Sequence, residues 1–408
     1  MNILYVCHRF PFPPKRGGKI RPFNMIRHLS EAGHQVTVCS LARSPQEAEE
    51  GRGIAPHCAG FEMGLVQAPL QWARMVANLP LATPSSMGYF YSPDLAGKVR
   101  QLLASRRWDL IFVHCSSVAQ YVAHVTDVPK ILDFGDMDSQ KWLDYAKLKP
   151  FPLSLGYKLE GLKMLAAEKH LARRFDVCTA TTRAEWQTLD GYATGAATDW
   201  FPNGVDAGYF SPGEQGHQPD TVSFVGRMDY YPNIECMQRF CRDVWPLLLQ
   251  QRPALKLSII GADPVPEVTA LAALPGVTVT GSVPDVRPFV RNSAVNVAPL
   301  AIARGTQNKI LEAMAMGVPV VTTGLAAGGV DADAGHHLRV ADTPAETAAA
   351  VLEIVCNPAE RARLAAAGRE RMLSHHDWSR SMLRLDAIID RCRQQFAQRH
   401  SALLESKA

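Results

Sequence analysis

The sequence predicts an α/β protein of two doubly wound, Rossmann-like parallel-sheet domains facing a central cleft. Three observations carry that expectation. Short apolar runs of strand length alternate along the chain with segments of helical periodicity, the pattern of a parallel sheet with crossover helices. The alternation breaks at the turn cluster Pro202-Asn203-Gly204-Val205-Asp206 and the polar residues 213–220, then restarts. A length of 408 residues with 47% hydrophobic content supports two packed cores.

In order, residues 2–7 form a buried strand, 11–18 a loop, 19–32 a helix and 34–41 a second strand, with Gly33 where a helix end favours glycine. Pro-rich and polar segments then run to about residue 92. Further strands are expected at 109–114, 130–134, 177–181 and 200–202. After the break, strands are expected at 221–225, 256–260, 277–280, 295–299, 319–322 and 337–340. Helices are expected at 234–250, 285–291, 309–316 and 344–355, and residues 361–397 are mostly helical with Trp378 as an anchor. Boundaries near 203 and 375 follow, with a helix at about 376–397 packing back on the first domain.

The bulk properties exclude several classes. A net charge of +4 is small for this length, and no aromatic-rich nucleic-acid signature is present, so no nucleic-acid partner is expected. The nine cysteines show neither metal spacing nor a disulfide framework, which points to a reducing cytoplasm and to no metal. No apolar stretch reaches the ~20 residues that span a bilayer, and the N-terminus lacks a leader pattern.

Ligands of such sheets sit at the carboxyl ends of strands, so the loops there hold the candidate residues. Residues 303–321 combine a polar glycine-containing loop, a helix start and a Gly-Val-Pro turn into a strand. Gly305 permits close backbone approach, and Thr306 lies beside it. Lys309 adds charge where a helix N-terminus already favours anions, so the element suits a diphosphate. Glu312, one turn on, is placed to bond a ribose or sugar hydroxyl. Gly226 and Arg227 follow the strand at 221–225, where Arg227 is either a forked phosphate donor or a surface arginine on a turn. Val283 lies in the turn 281–286, whose backbone reads a nucleobase edge unless Asp285 merely caps the next helix. Gly17 and Gly18 follow the first strand with a basic rim of Lys15, Arg16, Lys19 and Arg21. His114 ends a strand, facing either the cleft or a hydrogen-bonded core. Asp133, Asp136 and Asp138 crowd another strand end, where they contact sugar hydroxyls or cap a helix. Cations from Lys141 to Arg174, interleaved with Leu, Met and Tyr, make either an ordinary surface helix or a surface for anionic lipid.

On these residues the chain resembles the retaining glycosyltransferases of family GT4, which have the GT-B fold. Phe224–Arg227, Gly281–Asp285 and Lys309–Val321 stand in the family's order, and residues 202–206 look like its interdomain signature. More narrowly, His8-Arg9-x-Pro11-x-Pro13-Pro14, residues 135–142 and Gln307-Asn308-Lys309 resemble the sugar transferases of exosortase (PEP-CTERM) exopolysaccharide systems of Gram-negative bacteria. The resemblance implies an acceptor-side domain over 1–203 and a nucleotide-sugar domain over 204–375. Arg227 and Lys309 would hold the diphosphate of a UDP- or GDP-sugar and Glu312 its ribose, while Gly17 and Gly18 close over it. His114 would lie near the reacting sugar, with Lys15, Arg21, Asp136 and Asp138 as acceptor or sugar contacts. The acceptor would be a glycan or lipid-linked saccharide on the cytoplasmic face of the inner membrane, and no resident cofactor is required. Two departures stand out. Arg304 replaces the first glutamate of the family's Glu-x7-Glu motif, and Tyr230-Tyr231-Pro232-Asn233 replaces its usual lysine after Arg227. A nucleotide-sugar 2-epimerase of the same architecture, or a non-catalytic partner of another transferase, are the alternatives.

Overall fold

A computed structural model describes residues 1–14, 17–214 and 216–405. It divides into two compact units, Met1–Phe201 with Met382–Ala408, and Pro202–Ser381.

The first unit is built on seven parallel strands: β1 (Asn2–Cys7), β2 (Gln35–Ala42), β3 (Gly60–Leu65), β4 (Leu110–His114), β5 (Lys130–Gly135), β6 (Val177–Ala180) and β7 (Ala197–Trp200), in the order β3-β2-β1-β4-β5-β6-β7. Residues 3–7 of β1 have no solvent exposure, as a central strand covered on both faces requires. The winding reverses between β1 and β4, which pair directly, with Cys7 opposite His114. Strand β5 shifts register against β6 between Asp133 and Gly135, a local bulge that re-aims the strand end.

Strand β3 was not expected from the sequence, because Gly60 and Gly64 dilute its apolar run. Gly64 is required there, since a Cβ would lie 2.8 Å from that of Leu95. The strand expected at 200–202 instead ends at Trp200, ahead of Pro202, which has no N–H for a ladder.

The last helix, Trp378–Glu405, buries Leu385, Ile388, Ile389 and Cys392 along one stripe. His28 Nε2 lies 2.9 Å from Asp386 Oδ1, and Arg391 donates to Asp199 at 2.6 Å.

The second unit holds β8 (Thr221–Val225), β9 (Lys256–Ile260), β10 (Val277–Val279), β11 (Val295–Ala298), β12 (Val320–Thr322) and β13 (Arg339–Val340), in the order β10-β9-β8-β11-β12-β13. Its pairs are parallel, and the winding reverses between β8 and β11. The helix expected at 234–250 is interrupted. Tyr231–Arg239 passes through a π turn at Phe240–Val244 into Trp245–Gln251. Pro246 explains the widening, because its ring cannot follow an undistorted α-turn. Residues 202–206 are tied to the segment before the last helix, with Val205 N donating to His376 O at 2.7 Å. A Cβ at Gly204 would fall 2.5 Å from the Trp378 ring, so only glycine fits under that anchor.

The ends of β8 and β9 approach so closely that a Cβ on Gly261 would lie 1.7 Å from Gly226 O. Gly261→Ala must part these two loops and is expected to cost about 1–3 kcal/mol, read as a lower urea midpoint. Gly97→Ala, with nothing within 4 Å of the added carbon, lies in the helix Pro93–Ser105 and is expected to hold or raise the midpoint.

Candidate functional site

Both reversal points carry chemistry, and each is described within its own unit. In the second unit, the loops leaving β8, β9 and β11 carry Gly226, Gly261 and Gly305, the first two half-buried and the third buried. Asn233, at the start of the helix Tyr231–Arg239, reaches under Gly226, where a Cβ would lie 2.6 Å from its amide nitrogen. Its Nδ2 donates to Arg227 O at 2.8 Å, and its Oδ1 accepts from Lys309 Nζ at 2.6 Å. The Lys309 ammonium also sits 4.3 Å above the Phe224 ring. Lys309 and Glu312 are one turn apart on the helix Asn308–Ala315. Burial lowers the Lys309 ammonium to about 8, against the pull of nearby Cys236 and Glu312. Burial raises the Glu312 carboxyl to about 7, with Lys309 opposing the rise. At neutral pH this gives a charged lysine beside a carboxyl that both donates and accepts hydrogen bonds.

Thr306, in the loop ahead of that helix, has a buried hydroxyl oxygen with no hydrogen-bond partner. Gly305 is left-handed at φ +62, and its carbonyl fills the space a Cβ on Gly329 would need, at 2.1 Å. Val283 is half-buried in the loop after β10. Asp285 accepts from Arg287 N at 2.9 Å, but Val286 and not Asp285 holds the cap position of the helix Arg287–Arg291.

Arg227 stands differently from the expectation. Its guanidinium donates to both oxygens of Asp229, at 2.9 and 2.6 Å, and to Asp263 at 2.6 Å. The bond to Asp229 raises its pKa further. The two cations named from the sequence are therefore linked through Asn233 and the Arg227 main chain, and the guanidinium itself is held by two carboxylates. Sequence reading missed Asn233. It occupies the stretch where the family's lysine is absent, and its signal is an amide beside Pro232 at a helix start.

In the first unit, β1, β4 and β5 end together. Asp133 is fully buried and accepts four hydrogen bonds. Arg21 supplies two, at 2.9 and 3.0 Å, Thr179 one at 2.9 Å and His114 Nδ1 one at 2.8 Å. Burial would raise the Asp133 carboxyl, but the Arg21 guanidinium and His114 outweigh it and hold it well below the carboxylate range. The bond to Asp133 at Nδ1 fixes the His114 ring and turns Nε2 away from the carboxylate. Gly135, beside that ring, is left-handed at φ +71, a setting that favours glycine. Cys115, next in the chain, is held at φ +86, a strained setting for a non-glycine residue. His8 leaves β1 with its ring 5.8 Å from that of His114. Its Nδ1 is buried without a partner, and burial pushes its pKa well below the usual histidine value.

The basic rim expected around Gly17 and Gly18 is corrected in two places. Arg21 is only 2% exposed, bonded to Asp133 and Phe201 O and stacked 3.7 Å over the Phe201 ring. Lys19 is buried on Glu47 at 2.6 Å. Both side chains therefore build the unit and do not offer themselves to an acceptor. Gly17 and Gly18 are exposed at the start of the helix Gly17–Glu31, and Lys15 lies outside the described residues. Asp136 is half-buried and accepts from Thr181 at 3.3 Å. Asp138 contacts Cys115 Sγ at 3.9 Å, and burial raises its carboxyl. Neither Asp138 nor Ser139 is the cap of the helix Asp138–Leu148. Met137 holds that position, and buried carboxylates from elsewhere take the amides, Glu185 that of Met137 at 2.8 Å and Glu168 that of Ser139 at 2.9 Å.

Two expectations follow. Asp133→Asn leaves Arg21 buried without its counter-ion and is expected to cost about 3–5 kcal/mol in urea unfolding at neutral pH. Because the Asp133 carboxyl is lowered in the fold, its contribution is complete above its unfolded value near ~4 and fades as pH falls through it. The difference between wild type and variant therefore narrows on acidification. Second, Lys309 carries charge below about 8, so affinity for inorganic pyrophosphate as a probe should fall as pH rises through that value, with proton uptake on binding in calorimetry. Lys309→Met should abolish both the step and the uptake.

Residues 219–357 match the family model Glycosyl transferases group 1, and residues 16–204 match the model Glycosyl transferase 4-like domain. No curated protein matches the chain. Among solved structures, sucrose-phosphate synthase from Thermosynechococcus elongatus superposes with a TM-score of 0.73 at 18% identity, over 98% of this chain and 100% of that one. HepE from Anabaena, in complex with UDP and glucose, gives 0.62 at 15% identity over 98% and 100%. A mutant of TarM from S. aureus, in complex with fondaparinux, alpha-GlcNAc-glycerol and UDP, gives 0.66 at 10% identity over 95% and 100%. With two parallel α/β sheets on this plan and both halves matched by transferase family models, the chain is a glycosyltransferase of the GT-B fold.

Proposed function

We propose that the chain moves a sugar, with retention at the anomeric carbon, from a nucleotide diphosphate sugar to a hydroxyl of a glycan or lipid-linked saccharide. The place of the reaction is exopolysaccharide or cell-surface glycan assembly, at the cytoplasmic face of the inner membrane. The second unit binds the donor and the first takes the acceptor. One observation carries the donor assignment. A partly buried lysine, held by a neutral amide at the sheet's reversal point, stands beside glycine backbone and a helix N-terminus. The UDP held by HepE and TarM supports a uridine donor.

As the bond from the anomeric carbon to the diphosphate lengthens, negative charge grows on the leaving oxygen. Lys309, the amides near Gly305 and Thr306 and the helix N-terminus are fixed in advance to receive it. Arg227 adds its fork once it exchanges Asp229 and Asp263 for phosphate oxygens. Glu312 bonds the ribose hydroxyls. The departing diphosphate accepts the proton of the acceptor hydroxyl, which attacks from the same face. His114, with Nε2 turned away from Asp133, is assigned to a sugar hydroxyl, and Asp136 and Asp138 to the acceptor side.

Lys309→Ala and Glu312→Ala should each lower transfer by about a hundredfold or more, with the circular-dichroism spectrum and melting temperature close to wild type. Wild-type turnover in both variants would reject the site. Incubation with the donor alone, followed by NMR, should show the sugar unchanged at C2, whereas a 2-epimer would make the chain an isomerase. UDP binding without turnover on any acceptor would make it the non-catalytic partner that Arg304 suggests.

A further inference from the structure

We propose that the first unit carries a surface that rests on anionic lipid, assembled from two segments distant in sequence. One is the helix Ala68–Ala77 with the chain that follows it, and the other is the turn into the helix Leu153–Ala172. Large apolar side chains stand in solvent on both: Trp72 is 55% exposed, Leu79 61%, Phe151 81% and Leu153 58%. Single exposed apolar residues are ordinary on a protein surface, but a continuous set marks a contact.

Continuity is provided by hydrogen bonds between the segments. Lys163 Nζ donates to Asn78 O at 3.0 Å and Leu79 O at 2.7 Å. The Glu160 carboxylate accepts from Ser85 N at 3.0 Å and from Ser86 N at 2.8 Å. On the second helix Leu155, Leu159 and Leu162 recur at the spacing of one face, and all three are exposed. Lys158 flanks that stripe with its side chain exposed, while Lys163 and Glu160 are turned to the neighbouring segment.

The pattern selects the occupant. A protein partner needs shape and paired polar groups at the rim. A lipid surface needs apolar side chains at the acyl boundary and a cation whose stem lies along them with its ammonium at the phosphates, which Lys158 supplies. No helix among the described residues is long and apolar enough to cross a membrane, so the surface lies on the bilayer. This deepens the membrane-side placement proposed above and is independent of the donor chemistry of the second unit.

The test is co-sedimentation of the full chain with vesicles of phosphatidylcholine, alone or in equal parts with phosphatidylglycerol. Wild type should pellet with the anionic vesicles and stay largely in solution with the neutral ones. The double variant Leu79→Ser, Phe151→Ser should bind about tenfold more weakly, and Lys158→Glu should weaken binding to the anionic vesicles. UDP binding in calorimetry should stay at the wild-type level in each variant, so failure of this surface is separable from failure of the donor site. Wild type that stays in solution with both vesicles, or variants that bind like wild type, overturns the proposal. So does a dimer in sedimentation velocity that the double variant dissolves, which would assign the patch to a second copy of the chain.

Discussion

The constraint on which the site depends is the reversal of winding in each parallel sheet. A helix that follows one strand covers one face, and the helix after the reversal covers the other, so the loops between diverge and leave the strand ends open. In the first unit the reversal falls between β1 and β4 and brings His8 and His114 within 5.8 Å. In the second it falls between β8 and β11 and brings the Gly226 loop to the loop that leads to Lys309.

The two units solve the electrostatics of that opening differently. The first neutralises its charge internally. Asp133 accepts from Arg21, Thr179 and His114, and what stands at the strand end is a buried imidazole oriented by a carboxylate. Orientation is bought with a fully buried ion pair, whose energy is spent on fixing one ring. The second unit leaves its cation on a neutral partner, since Asn233 positions Lys309 without cancelling its charge. One arrangement suits a hydrogen-bond partner for a neutral sugar, and the other suits a receiver of negative charge.

Legibility in the sequence follows the same division. The two sheets were readable because buried parallel strands are largely apolar runs, as in Ile3–Cys7 and Leu110–Val113, and β3 was not because its glycines break the run. Lys309 and Glu312 were readable as a pair because their spacing alone puts them one helical turn apart. Asp133 and Arg21 were not, since their bond joins residues whose separation along the chain carries no local signal. A cation next to a double glycine looks like a phosphate contact until the strand end that captures it is known. Likewise, lysines among leucines from Lys141 to Arg174 do not reveal which leucines are covered. Leu171 is buried and Leu159 is half exposed, a difference set by what the sheet places behind each.

The state of Arg227 bears on the order in which a diphosphate would be held. Its guanidinium already has two carboxylates, so an incoming anion must displace Asp229 or Asp263 and gains only the difference between two favourable pairings. Lys309 is bonded instead to a neutral amide, with the Glu312 carboxyl raised by burial beside it. Burial weakens its hold on its proton, and a nearby anion relieves that cost directly. On the proposed donor assignment, Lys309 is the natural first contact, and the Arg227 fork is worth most when charge on the leaving oxygen grows enough to displace the aspartates. A guanidinium that binds better as the reaction advances stabilises the transition state more than the ground state, which is the condition for raising the rate and not merely the affinity.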